Sequence, residues 1–282
     1  MSEIYSHSRL SSFEDCAKKF EYRYVLKLKR DTESIEGFVG KQVHKVLERL
    51  YGFAAQGMVP SLDKVIGRFR IWWNERYDPA RVRIVRTEND ADYYREIGER
   101  CLGNYYRRCY PFDGDETLAT EEHVVFSLDA ADRYRIQGFI DRVVRTRDGA
   151  VEIHDYKTSA RVPPQSRLDG DRQLALYQIG LTERFGAQTP MRLVWHYLAP
   201  NQVRTSSRSP EQLDTLRTDT IDLIDRVRAT THFEPKTGPL CRWCEFADVC
   251  PAQNESREAR EEPSHALTKA QPAARRGQLP LT

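Results

Sequence analysis

A hairpin constrains this chain more than any other feature. Residues 134–146 and 150–158 both alternate apolar and polar positions, and Asp148-Gly149 lies between them. That pattern predicts two antiparallel strands joined by a tight turn. The length of the turn decides which side chains meet. A two-residue loop at Asp148-Gly149 sets Arg142 opposite Asp155 and turns Asp141 away. A three-residue loop, Arg147-Asp148-Gly149 with Gly149 left-handed, sets Asp141 opposite Asp155 and Val143 opposite Ile153. The second register gathers Phe139, Val143, Val151 and Ile153 on one face and converges two acids. A slip of one residue reverses every side chain, so the second register is the expected one.

Asp155-Tyr156-Lys157 places an acid and a lysine on the same side of a strand, because successive side chains alternate. Two acids and a lysine at the edge of an apolar face are costly unless something binds there. Carboxylates suit a hard divalent cation such as Mg2+ or Mn2+, and the Tyr156 carbonyl is a candidate third ligand beside Asp141 and Asp155. Lys157 is placed to orient or help deprotonate a water, or to neutralise charge developing on a phosphate. That is equipment for hydrolysing a phosphodiester.

Helical periodicity covers residues 8–28 (with Ser8 as N-cap), 34–55, 62–76, 90–110, 168–185 and 210–229. Further strands are expected at 122–128, 191–198 and 202–206. His44 stands one turn after Gly40 on a packed helix face and is a candidate to complete the metal sphere. Gln173 and Tyr177, at i and i+4, share a helix face from which to contact a DNA phosphate or hold Lys157. Glu122 is a weaker acidic candidate. Residues 254–282 carry few large apolar side chains and read as a disordered tail.

A net charge of +2 does not indicate a general polyanion-binding surface, although basic residues cluster locally. Tyr22-Arg23-Tyr24 and Tyr105-Tyr106-Arg107-Arg108 would suit single-strand binding by stacking. The segment from Met1 to Leu10 lacks the apolar core of a signal peptide, and no apolar run approaches the ~20 residues of a membrane span. A cytoplasmic, reducing setting and no membrane partner are therefore expected, which argues against a disulfide framework for the six cysteines. Cys241-x2-Cys244-x5-Cys250 is a compact thiolate cluster in need of a fourth ligand, for which Cys16 is the candidate. Cys101 and Cys109 are alternatives by composition alone; they lie on one helix and read rather as free core or surface thiols. Zinc and an iron–sulfur cluster are both chemically open.

Four short motifs occur in order: Gly40-x-x-x-His44, Gly138-Phe139-Ile140-Asp141, Asp155-Tyr156-Lys157-Thr158 and Gln173-x-x-x-Tyr177. Together with the cysteine spacing and the Ser-Arg-Leu-x-x-Phe-x-x-Cys opening, the chain resembles the PD-(D/E)XK nucleases of the RecB-like group over roughly residues 5–252. The cysteine pattern is similar to that of the iron–sulfur members, which include AddB-type helicase–nuclease subunits and CRISPR-associated exonucleases. The second acid is Asp155 where Glu is commoner. The resemblance implies a restriction-endonuclease-like α/β core, a central mixed sheet flanked by helices. It implies one nuclease domain over residues 1–253, with a helical insertion at about 56–112 and a cysteine-rich segment at 238–252 joined to Cys16. It implies that His44, Asp141, Asp155 and Lys157 are the catalytic set and that Gln173 and Tyr177 are accessory. It further implies a [4Fe–4S] cluster on Cys16, Cys241, Cys244 and Cys250, and DNA as substrate, single-stranded or with free ends. Recombination, helicase or CRISPR-adaptation proteins would be the partners. Gly37-Phe-Val-Gly40-Lys41-Gln42 does not fit a phosphate-binding loop, so no motor is expected within the chain. The competing expectation is a non-catalytic iron–sulfur or zinc protein that binds DNA or serves as a scaffold.

Overall fold

The computed structural model describes residues 3–253. The segment expected to be a disordered tail lies outside them. Six strands form one mixed sheet in the order β4 (Glu116–Ser127), β5 (Arg135–Arg145), β6 (Val151–Lys157), β7 (Met191–Tyr197) and β8 (Gln202–Ser206), with β1 (Ile4–Tyr5) also on β5. β6–β7 and β1–β5 are parallel; the other pairs are antiparallel. The parallel β6–β7 step needs a crossover. Helices α6 (Gln165–Asp169) and α7 (Arg172–Phe185) supply it.

Helices cover both faces of the sheet. On one side α3 (Ile35–Ala54), α4 (Leu62–Arg76) and α5 (Ala91–Cys109) share a core with Tyr156 and Leu198. Of these, α4 and α5 fall within residues 56–112, and a short parallel pair, β2 (Glu33–Ser34) with β3 (Val82–Arg83), lies beside them. On the other side α7 packs on Val143, Val151 and Ile153. Beside it, α1 (His7–Asp15), α2 (Ala17–Phe20) and α8 (Pro210–Ala229) close a third cluster around Leu10, Phe20, Phe126 and Ile224. Each such side chain, fully buried, contributes roughly 1.5–3 kcal/mol by leaving water. Among the described residues, no helix is long and apolar enough to cross a membrane.

The hairpin has the three-residue loop. Thr146 donates its N–H to the Ala150 carbonyl at 2.9 Å, and Gly149 (φ 83°) donates to the Thr146 carbonyl at 2.9 Å. Val143 pairs with Ile153 and Arg142 with His154. The backbone ladder ends there. At the next rung the Asp141 side chain replaces it, its Oδ2 accepting the Tyr156 N–H at 2.6 Å.

Strict alternation along β5 fails at this point. Ile140 packs in the core beneath α7, whereas Arg142, two residues on, lies over the Tyr51 ring of α3, 4.2 Å from its centroid. The neighbouring strand reverses with it. Glu122 faces α7, while Thr120 borders Lys45 and Glu48 of α3. The reversal falls on Glu121, which has a left-handed φ of 49°, and on Asp141 opposite, between the pairs Thr120↔Arg142 and Glu122↔Ile140. Phe139 therefore does not join Val143 on a buried face, as alternation requires. It is 58% exposed.

The N-terminal helix expected over residues 8–28 is three pieces. Ser6, not Ser8, caps α1 by accepting from the Arg9 N–H. Cys16 adopts an extended conformation (φ −164°, ψ 110°) between α1 and α2, and a π-helical turn (Glu21–Val25) follows. The remaining helices lie within one or two residues of their expected bounds, save that α7 starts at Arg172 rather than 168 and a separate short helix, α6, precedes it from Gln165. Polar caps explain their starts: Ser34, Asp90, Asp171 and Ser209 each accept a backbone N–H from the first turn.

Gly138 shows how tightly β5 meets α7. A Cβ there would sit 2.2 Å from Cε1 of the Tyr177 ring. Tyr177 is buried and cannot swing clear, so Gly138→Ala is expected to cost about 1–3 kcal/mol as an overpacking change. A lowered urea midpoint at unchanged slope checks this.

Candidate active site

Four elements converge where β5 and β6 part. α3 brings His44, the reversal in β4 and β5 brings Glu121 and Asp141, and the end of β6 brings Asp155 and Lys157. His44 Nε2 lies 2.9 Å from the Tyr156 carbonyl, and Nδ1 lies 3.2 Å from Asp141 Oδ1 and 3.9 Å from Glu121 Oε1. One ligand atom from each of His44, Glu121 and Asp141 falls within 4.8 Å of the others. Lys157 Nζ contacts both Asp155 oxygens at 2.9 and 2.8 Å and lies 3.4 Å from Gln173 Oε1. The site opens into a cleft of ≈ 610 Å³ bordered by Lys41, His44, Glu121, Phe139 and Lys157. Gly40 stands at ordinary contact distance from this wall, 3.7 Å from Thr158 Oγ1 when given a Cβ.

The charges do not balance. Three carboxylates share the basin with one lysine and one imidazole. Burial raises Asp155 to about 6, with Lys157 opposing and Asp141 adding to the rise. Glu121 is raised by burial and by Asp141. Burial alone would lower His44, but the hydrogen bond and charge of Asp141, with Asp155 and Glu121 behind it, outweigh burial and lift it to about 9.

This geometry fits a divalent cation. The carbonyl of Tyr156 can only accept, so His44 carries a proton on Nε2. With that tautomer the Nδ1 lone pair would point at the Asp141 carboxylate, which is repulsive unless a proton or a cation lies between them. A neutral imidazole whose far N–H is held by a backbone carbonyl is the usual preparation of a metal-binding histidine. Oxygen and nitrogen donors of this kind suit Mg2+ or Mn2+.

The sequence brought His44, Asp141, Asp155, Tyr156, Lys157, Gln173 and Tyr177 to one place, and the structure assembles them with some changes. The Tyr156 carbonyl serves as partner of His44. Asp155 is held by Lys157 rather than within the tightest cluster. Gln173 reaches Lys157, while Tyr177 covers Gly138. Glu122 points to α7 and pairs with Arg184. Its neighbour Glu121 faces the cluster and was missed, because alternation gives no warning of the reversal.

Behind the site lies a buried polar network. The hydroxyls of Tyr51, Tyr105 and Tyr156 are linked at 2.7 and 3.1 Å. Arg142 reaches His154 Nδ1 at 3.0 Å, His154 Nδ1 meets His196 Nε2 at 2.7 Å, and Arg108 reaches His196 Nδ1 at 3.0 Å. Tyr105 and Tyr106 are therefore core residues and not a stacking surface.

The cysteines form a second assembly. Cys16, Cys241, Cys244 and Cys250 line one cavity of ≈ 300 Å³. Cys16 Sγ accepts the Lys236 N–H at 3.4 Å and Cys241 Sγ the Gly238 N–H at 3.3 Å. No three of the four sulfurs lie within 4.8 Å of one another. Glu245 pairs with Lys19 and Arg23, and Asp248 with Arg30, fastening this segment to the N-terminal helices. Cys101 is buried in the core around α5, and Cys109 packs against it.

Comparison with known proteins agrees with this architecture. The chain is 27% identical over 161 residues to a subunit of the ATP-dependent helicase/deoxyribonuclease of Streptococcus uberis, covering 56% of this chain but 14% of that protein's length. The crystal structure of a candidate exonuclease from Eubacterium rectale superposes with a TM-score of 0.50 at 11% identity, covering 90% of this chain and 88% of that one. At that identity the likeness speaks for the fold alone. The profile of the PD-(D/E)XK nuclease superfamily matches residues 4–251. The chain belongs to the PD-(D/E)XK nuclease superfamily.

Proposed function

We propose that the protein is a Mg2+- or Mn2+-dependent deoxyribonuclease that processes DNA ends as an exonuclease, prefers single strands, and is braced by a [4Fe–4S] cluster. The observation that carries the catalytic part is the His44 imidazole, fixed by the Tyr156 carbonyl with Nδ1 aimed at Asp141 and Glu121. His44, Asp141 and Glu121 would hold the cation, with Asp155, paired with Lys157, beside them. Bound there, the cation supplies Lewis acidity toward a phosphate oxygen and a water. Lys157 neutralises charge developing on the phosphate, and Gln173 steadies its ammonium. A helicase is the partner suggested by the Streptococcus uberis relative.

The cysteine quartet supports the cluster by its spacing. All four line one cavity, and two of their sulfurs accept backbone N–H groups, as cluster sulfurs do. The cluster joins Cys16 to the C-terminal segment and thereby holds both ends of the catalytic domain together.

Digestion of end-labelled DNA with each end blocked in turn tests the reaction. Asp141→Asn and Asp155→Ala are each expected to lower the rate by about 100-fold or more. Equal cleavage by Asp155→Ala and wild type sinks the catalytic reading. Protein purified without oxygen is expected to be brown with about four iron atoms per chain, and Cys250→Ser to lose the iron and melt earlier. Colourless protein with stoichiometric zinc overturns the cluster.

A pH dependence follows from His44. Its folded pKa of about 9 exceeds the ordinary 6.5, so in chelator its stabilising contribution is full below pH 6.5 and is lost as pH rises through 9. Asp155, raised to about 6, likewise loses stability as pH rises from 3.8 to that value. Metal binding must displace the His44 proton, so Mn2+ affinity, measured calorimetrically, is expected to rise with pH up to about 9. His44→Ala should flatten the rise above pH 6.5.

A further inference from the structure

Phe139 is a large apolar side chain in the middle of a strand that the fold leaves in water. It is 58% exposed. A single exposed aromatic is unremarkable in itself, but the surroundings of this one are specific. The ring of His123, directly across the β4–β5 ladder, stacks on it with centroids 4.7 Å apart and planes 22° from parallel. His123 is itself fixed by a 3.2 Å contact between Nε2 and Gln137 Oε1. One face of the Phe139 ring is thus backed, and the ring borders the same cleft as His44, Glu121 and Lys157.

Position along the ladder gives the ring its meaning. The pair His123↔Phe139 lies one rung of the same face from Glu121 and Asp141, a step of about 7 Å for two strand residues. An aromatic surface one rung from the carboxylates stands where the base of a nucleotide would fall if its phosphate lay at the carboxylates. Lys41 and Lys45 border the other wall of the cleft, with side chains 67% and 54% exposed and paired with Glu33 and Glu48.

We propose that Phe139, backed by His123, is a stacking platform that takes one unstacked base of a single DNA strand and so sets the strand preference of the site. The proposal rests on the nuclease reading above and names its specificity-determining residue. A base within a duplex is paired at its edge and stacked on both faces, so it cannot lie on Phe139 without melting. A single strand offers a free π-face at no such cost, and stacking of this kind tolerates any base.

The test uses the full chain with a 5′-fluorescein-labelled oligothymidylate and, in parallel, a blunt duplex, by anisotropy in Ca2+ and by cleavage in Mn2+. Phe139→Ala and Phe139→Leu are expected to weaken single-strand binding alike, by about tenfold, while Phe139→Trp keeps or tightens it. The duplex should change less than about twofold in all three variants, in keeping with binding through phosphates. In cleavage the loss should appear in KM more than in kcat. The melting temperature should not move, because the ring is outside the core. The platform is overturned if Phe139→Leu binds like wild type, which would make the ring mere apolar bulk. It is equally overturned if Phe139→Ala weakens single strand and duplex to the same degree. If wild type cleaves neither substrate in Mg2+ or Mn2+, the nuclease reading fails separately, and the binding series still decides the role of Phe139.

Discussion

Asp141 holds this structure together at the point where its sheet comes apart. β5 and β6 are laddered only as far as Arg142 and His154. Beyond that rung the carboxylate of Asp141 stands in for a backbone carbonyl, one oxygen taking the Tyr156 N–H and the other facing His44. A buried backbone donor left without a partner is expensive, so the strand that carries Asp155 and Lys157 is positioned by the same group that faces His44. Structural and chemical roles are fused in one side chain. An amide at this position would keep the first oxygen's bond and lose the charge. That is why Asn rather than Ala isolates the chemistry.

The reversal of strand faces at Glu121 and Asp141 is the second constraint. It turns two acids from neighbouring strands toward α3, where His44 waits, and leaves the rest of β5 free to bury Ile140 and Val143 beneath α7. Without it, strict alternation would send Ile140 and Val143, three residues apart, to opposite faces. The surplus of negative charge that results suits the cation proposed for this site.

Much of this was legible in the sequence, for reasons that can be named. The register of the hairpin followed from Gly149, since only the three-residue loop buried Val143 against Ile153. Helix extents followed from apolar periodicity, whereas the one cap read from the sequence, Ser8, gives way to Ser6. Glu121 and Phe139 were misjudged together and for one cause. Alternation assumes an unbroken pleat, and a left-handed Glu121 carries no signature that a reader of the sequence can weigh. The break at Cys16 was hidden because residues 8–28 keep helical spacing on either side of it. Tyr105 and Tyr106 looked like a stacking pair by their basic neighbours, whereas hydroxyl pairing with Tyr51 and with the Pro60 carbonyl lets them be buried.

The network beneath the site fixes its own protons. A guanidinium can only donate, so Arg142 makes His154 Nδ1 an acceptor and Arg108 does the same to His196 Nδ1. Both imidazoles must then carry their hydrogen on Nε2, His196 giving it to His154 and His154 giving it to Glu152. Every nitrogen is used once the pair is neutral, and burial lowers both histidines well below their ordinary value. The pair behaves as a rigid polar strut across β6 and β7 rather than as a reservoir of charge. It backs Tyr156 from behind as a neutral pair, and leaves the titration of the site above to His44 and Asp155.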